Sequence, residues 1–283
     1  MVHTISPVRP SPIAGTWYPG NPLVLRREVE GFLTQPDACQ AEGRVIGMVV
    51  PHAGYRYSGT TAGYGYHCVM GKSYEICVVL SPLHMAHPAQ LLTSAHQFYE
   101  TPLGHVEIAG AELRALENKL FSSSGMTFTP ISNDGEHSLE IQLPFLQVAL
   151  KDPFKLIPIM VRSDSEKLIN VLGETLAEVL RGKNVLIVAS SDLSHFYHER
   201  QAQMLDHEML AQIEAFSPEG VLNAEKTGRG YACGAGAVAA ALVAAKALGA
   251  DKVTVVHHST SADSTHDESS VVGYGAAVIT KTM

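Results

Sequence analysis

Val45-Ile46-Gly47-Met48-Val49-Val50, running into Pro51-His52-Ala53-Gly54-Tyr55, is the stretch that decides the fold. Its first six residues are apolar without alternation, the pattern of a strand buried on both faces. Pro51 ends the strand, His52 follows at once, and Ser58-Gly59-Thr60 opens a helix of small residues expected from about Gly59 to Met70. Open α/β sheets hold their ligands just beyond the carboxyl ends of such strands. The layout recurs twice. Glu75-Ile76-Cys77-Val78-Val79-Leu80 leads to Ser81-Pro82-Leu83-His84, and Asn184-Val185-Leu186-Ile187-Val188-Ala189 leads to Ser191-Asp192-Leu193-Ser194-His195. Three strand ends thus deliver three histidines.

Outward from these units, Asn21-Pro22 caps a helix expected to run to about Gln35, and residues 36–43 read as a polar connection. Residues 90–108 read as short extended pieces in a small antiparallel excursion, followed by a helix near 110–121. Asp134-Gly135-Glu136-His137-Ser138 is expected to open a further helix, with Leu139, Leu143, Leu146 and Leu150 inward. Lys155–Val161 is a strand whose Pro158 predicts an edge or a bulge. Helices are expected over 165–181 and twice within 199–226, and an alanine-rich helix begins after Ala232-Cys233-Gly234. Strands at 252–258 and 271–280 close the chain, the second fully apolar and central. The alternation predicts a single three-layer α/β/α domain over residues 1–283, with a mostly parallel or mixed central sheet.

Of the 283 residues, 46% are hydrophobic and 17% charged, which suits a globular chain with a sizeable core. A net charge of −8 leaves no basic footprint for nucleic acid. No apolar stretch approaches the ~20 residues a membrane helix needs. Met1-Val2-His3-Thr4-Ile5-Ser6-Pro7 lacks the charged start and apolar core of a signal peptide, and Cys39, Cys68, Cys77 and Cys233 form no C-x-x-C pair. A cytoplasmic, reduced setting is the expectation, with Cys68 and Cys77 as buried small hydrophobes.

Fourteen histidines against one tryptophan point towards metal or proton chemistry. Cys233 stands at a helix N-terminus, where free amides and the dipole favour a thiolate, yet a lone cysteine also fits a buried inert role. Asp192 lies three residues before His195 and suits orientation of an imidazole as general base; a helix cap is the alternative. Ser191, Asp192 and His195 make a poor hydrolase triad, because no G-x-S-x-G elbow exists. Gly234-x-Gly236-x-x-Ala239 matches a loose dinucleotide fingerprint without its preceding strand, so close helix packing explains it better than a nicotinamide. Glu136 and His137 fit either the site or a helix start. His257 and His258 point to opposite faces of a strand, which prevents them from sharing one ion. Trp17 and Tyr55 are candidates for the pocket rim, and packing on the core is the alternative for Trp17.

Together these motifs resemble the Memo family, whose microbial members are called AmmeMemoRadiSam system protein B. The residues that carry the resemblance are His52 in Pro-His-Ala-Gly-Tyr, His84 in Ser-Pro-Leu-His, Glu136-His137-Ser138-Leu139-Glu140-Ile141-Gln142-Leu143-Pro144, Ser190-Ser191-Asp192-Leu193-Ser194-His195, and Cys233-Gly234. Gly15-Thr16-Trp17-Tyr18 matches the family's N-terminal signature. The resemblance implies a fold related to class III extradiol ring-cleaving dioxygenases, which use non-haem iron(II). It implies His52, His84 and Cys233 as metal ligands, Asp192 and His195 as catalytic groups beside them, and iron(II) or copper as cofactor. A thiolate in place of the dioxygenases' carboxylate favours copper and retunes iron, so ring cleavage does not follow from the fold. The implied function is a metal-dependent redox enzyme acting on a small substrate. The alternative is a non-catalytic metal- or peptide-binding partner of radical-SAM and AMMECR-type proteins. Where many relatives carry a second histidine after the first, this chain has Met85.

Overall fold

The computed structural model describes residues 5–34 and 41–282. Cys39, residues 1–4 and most of the connection expected over 36–43 lie outside the described residues. In chain order the elements begin β1 (Val8–Arg9), α1 (Pro22–Leu33), β2 (Arg44–Val50), α2 (Tyr55–His67) and β3 (Ile76–Ser81). Next come β4 (Leu91–Ser94), β5 (Phe98–Thr101), β6 (Gly104–Glu107), α3 (Gly110–Ser124), β7 (Thr129–Ile131) and α4 (Gln142–Ala149). The middle continues with β8 (Lys155–Val161), α5 (Glu166–Leu180), β9 (Val185–Ser190), β10 (His195–Tyr197), α6 (Glu199–Glu214) and α7 (Pro218–Thr227). The chain ends on α8 (Ala235–Ala247), β11 (Lys252–Thr260), α9 (Ala262–Thr265) and β12 (Val271–Lys281).

Nine strands form one mixed sheet in the order β10-β12-β2-β9-β3-β8-β4-β7, with β11 paired to β12. β2, β9, β3 and β8 run parallel, whereas β12 and β4 flank them antiparallel. The non-alternating apolar strands are explained by cores on both faces. Ile76, Val78 and Leu80 of β3 join a cluster with α3, α5, α7 and α8, whereas Cys77 and Val79 face α1, α2 and α4. The period-2 strand thus splits one apolar run between two cores. These layers make the α/β/α architecture expected from the sequence.

Local chemistry sets some element ends. Asn21 caps α1 by accepting from the Leu23 and Val24 amides at 3.0 and 3.2 Å. The 90–108 excursion contains the β5–β6 hairpin, with β1 added parallel to β5. α8 packs closely on its neighbours: a Cβ on Gly236 would overlap the Ser163 carbonyl and one on Gly234 the Ser190 carbonyl. Close approach, not phosphate binding, accounts for those glycines. His257 and His258 do part to opposite faces, His257 stacking on Tyr64 of α2 and His258 bonding Asp206 of α6.

Two expectations need correction. β8 lies inside the sheet, but β4 covers it only at Met160 and Val161. Pro158 sits beyond that overlap, where its carbonyl accepts the Thr93 hydroxyl at 2.7 Å; the missing N–H faces a gap in the ladder. The helix expected to open at Asp134 starts only at Gln142, because Asp134 is taken by Arg9 and Glu136 by His84. Among the described residues no helix is long and apolar enough to cross a membrane.

Candidate metal centre

The carboxyl ends of β2, β9 and β3, neighbours in the sheet, place His52, Ser190-Ser191-Asp192 and His84 side by side. His137 enters from the turn before α4. Donor atoms of His52, His84 and His137 all lie within 4.8 Å of one another. The His84 and His137 rings stack at 4.8 Å, and His52 stands edge-on to both. Cys233 reaches this cluster at His52, its Sγ 3.1 Å from Nε2.

Glu136 organises the cluster. Its Oε1 accepts the His84 ring Nδ1–H at 3.0 Å and the backbone N–H of His137 and Ser138 at 3.0 and 2.9 Å. Its Oε2 accepts the His84 backbone N–H at 2.6 Å. Burial opposes ionisation, but these donors hold the Glu136 carboxyl well below the usual carboxylate range. The same bond raises His84, while burial drives His137 down to about 4 against the pull of Glu136. Burial, then His137 and His84, keep His52 far below an ordinary imidazole. With Nδ1–H bonded to a carboxylate, His84 presents an unprotonated Nε2, the arrangement that orients metal-binding histidines.

Asp192 positions the His52 loop: its Oδ1 accepts the His52 and Ala53 amides at 2.6 and 3.2 Å. Burial raises it to about 7. Its carbonyl accepts the Cys233 amide at 3.2 Å, so one residue ties three loops together. His195 gives its Nδ1–H to the Leu193 carbonyl at 2.8 Å, leaving Nε2 as a base. Of the two readings of Cys233, its surroundings without an ion favour the neutral thiol. Burial pushes the thiol up, and nearby Asp192 adds to that, so the helix start does not ionise it.

A cavity of about 580 Å³ opens over the cluster, lined by His52, His84, His137, Asp192 and His195 with Trp17 and Phe196 on its wall. Among the described residues no lysine or arginine lines it. Trp17 stacks on His137 at 4.0 Å, which places the tryptophan at the pocket rather than in the core. Tyr55 does not reach the pocket: it is buried against Phe145, its hydroxyl bonded to the Ile141 carbonyl. α2 starts at Tyr55 rather than Gly59, and two residues on, about 200° around the helix, Tyr57 lines the cavity instead. Sequence reasoning missed Ser190 and Gln142, which contact His52 and its loop, and Phe196. The available signal for Gln142 was a polar residue opening a helix that is apolar apart from Gln147; Ser190 looked like a strand end.

A sheet of parallel strands ending on clustered imidazoles, one oriented by a buried carboxylate, defines an α/β protein whose three histidines could hold a metal ion. The chain belongs to the Memo family: the family model described as Memo-like protein matches residues 9–278. It is 33% identical over 273 residues to a MEMO1 family protein of Nitrosopumilus maritimus, covering 95% of this chain and 98% of that one. A MEMO1 family protein of Methanopyrus kandleri is 31% identical over 94% of this chain and 96% of its own. The crystal structure of the uncharacterized protein JW3007 from Escherichia coli K12 aligns at a TM-score of 0.48 and 13% identity. That alignment covers 83% of this chain and 100% of that one.

Proposed function

We propose that this protein holds an iron or copper ion with His52, His84 and Cys233, flanked by His137, and performs redox chemistry on a small substrate in the cavity above. The reading is carried by one observation: Cys233 Sγ lies 3.1 Å from Nε2 of His52, a member of the three-imidazole cluster. First-row metal bonds of about 2.0 Å to nitrogen and 2.3 Å to sulfur put donors at a right angle about 3.1 Å apart. The His52–Cys233 pair therefore fits two ligands of one ion, His84 and His137 being the imidazoles that group with His52, and imidazole with thiolate is the chemistry that iron and copper accept. Such an ion supplies Lewis acidity and one-electron transfer. His195 Nε2 takes or returns a proton at the substrate, Asp192 fixes the His52 loop, and the apolar wall excludes water.

A second reading draws on the rim. Phe196 on the cavity wall is 76% exposed and Met85, next to His84 in the chain, 50%, apolar surface that also suits a partner. On that reading the protein keeps a metal without turnover and works beside radical-SAM and AMMECR-type proteins.

Anaerobic metal analysis tests the proposal. Near-stoichiometric iron or copper, lost in His52→Ala, His84→Ala and Cys233→Ala and kept in His195→Ala, is expected. Full retention in Cys233→Ala removes the thiol from the ligand set. Metal without oxygen uptake or product across candidate catechols and thiols favours the partner reading.

A further inference from the structure

We infer that Ser190 and Gln142 are positioning residues that lock His52 in the tautomer protonated at Nδ1, turning its Nε2 lone pair towards Cys233 and the cluster. The inference rests on the metal reading for its purpose, and on hydrogen-bond counting alone for its content.

His52 is buried, and its Nδ1 meets Ser190 Oγ at 3.1 Å. A serine hydroxyl has one proton to give and two lone pairs. Ser190 Oγ also stands 2.6 Å from the Ser138 carbonyl and 2.7 Å from Gln142 Nε2. A carbonyl only accepts, so the Ser190 proton goes to Ser138. Gln142 is oriented in the same way: its nitrogen donates to the Pro51 carbonyl at 2.9 Å, and its Oε1 accepts the Tyr66 hydroxyl at 3.0 Å. The second Gln142 N–H therefore points at Ser190 Oγ and fills one lone pair. One lone pair remains, and His52 Nδ1 must donate to it. An imidazole with its proton on Nδ1 carries its lone pair on Nε2, the atom 3.1 Å from Cys233 Sγ.

Two backbone carbonyls, Pro51 and Ser138, thus set the polarity of a chain that ends at a metal-ligand atom. His84 gets the same tautomer from a carboxylate and His195 from a single carbonyl, whereas His52 gets it from neutral groups on three elements. Buried networks of this kind hold only when every member is satisfied.

The test uses metal-free, full-length protein carrying isotope-labelled histidine, at about pH 8 and so above the ordinary imidazole pKa of ~6.5. Long-range proton–nitrogen correlation spectra report which ring nitrogen bears the proton. His52 is expected as the Nδ1–H form in wild type and as a mixture or the Nε2–H form in Ser190→Ala. Zinc, the diamagnetic probe, is expected to bind Ser190→Ala about 10–100-fold more weakly. Gln142→Met, which frees Ser190 to rotate, shifts both readouts in the same direction. A wild-type His52 protonated at Nε2 overturns the inference whether or not a variant folds. An unchanged tautomer in folded Ser190→Ala overturns it as well. Failure of zinc, iron and copper to bind, with the Nδ1–H spectrum intact, sinks the metal reading and supports this one.

Discussion

Glu136 grips His84 twice, taking the ring Nδ1–H at 3.0 Å on one carboxylate oxygen and the backbone N–H at 2.6 Å on the other. Ring and backbone are therefore fixed together, although the His84 side chain is 40% exposed. Glu136→Gln keeps the shape and loses an acceptor, since its amide nitrogen would meet an N–H. Metal affinity is expected to fall about 10–100-fold, the usual cost of removing such a partner, with the fold retained. Competition titration against a chelator measures this; unchanged affinity would show that His84 needs no carboxylate.

Metal uptake is expected to weaken as pH falls, and His84 sets where. A metal binds neutral imidazole, so binding is complete above a ligand's pKa and lost below it. His84 is raised above 6.5, while His137 is lowered to about 4 and His52 well below 6.5. Among the imidazoles, protons thus compete first at His84 and at the other two only in more acid solution, whereas the Cys233 thiol, pushed up by burial, gives up its proton to the metal across the whole range. Uptake followed by calorimetry should steepen by one further proton, beyond that of the thiol, from near-neutral pH downwards. In Glu136→Gln that onset moves to lower pH.

Arg9 is 1% exposed and bonds Asp134 at 2.7 Å, Glu140 at 2.5 Å and the Glu136 carbonyl at 2.8 Å, below the Tyr99 ring. It fastens β1 to the loop that carries Glu136 and His137. Arg9→Met strands two buried carboxylates, and breaking such a cluster costs about 3–5 kcal/mol. Urea denaturation should show that loss. A variant within ~0.5 kcal/mol of wild type would contradict the assigned role.

Gly273 lies against the buried Asp206, and a Cβ there would overlap its carboxylate. Asp206 also holds the Ser194 amide at 2.9 Å and His258 at 2.9 Å, so displacing it disturbs the loop that bears His195. Gly273→Ala is expected to destabilise by about 1–3 kcal/mol, as overpacking does. Thermal unfolding reads this directly, and a wild-type midpoint would mean that the loop gives way freely.

The fold was legible because the strands at 45–50, 75–80 and 184–189 are buried on both faces and carry uninterrupted apolar runs. Their ends are marked by proline, serine and histidine, so His52 and His84 could be placed at one sheet edge before any coordinates. Helix starts were less legible. Nothing local told α2 to begin at Tyr55, and that shift exchanged Tyr55 for Tyr57 at the pocket. The turn at 134–141 lost its expected helical opening because its two carboxylates are claimed by Arg9 and His84, partners 125 and 52 residues away.

By itself the sequence determined the layered architecture and the residue types at the carboxyl edge, since periodicity and chain-breaking residues act over a few positions. The tertiary structure alone decided which groups meet. Cys233 comes 181 residues after His52 yet contacts it, and His137, balanced on sequence between a helix cap and a ligand, joins the cluster because Glu136 turns to His84. It also decided the state of those groups. Burial overrides the helix start at Cys233, and carbonyls fixed by distant elements settle where the protons sit, because desolvation and hydrogen-bond direction depend on the whole surroundings.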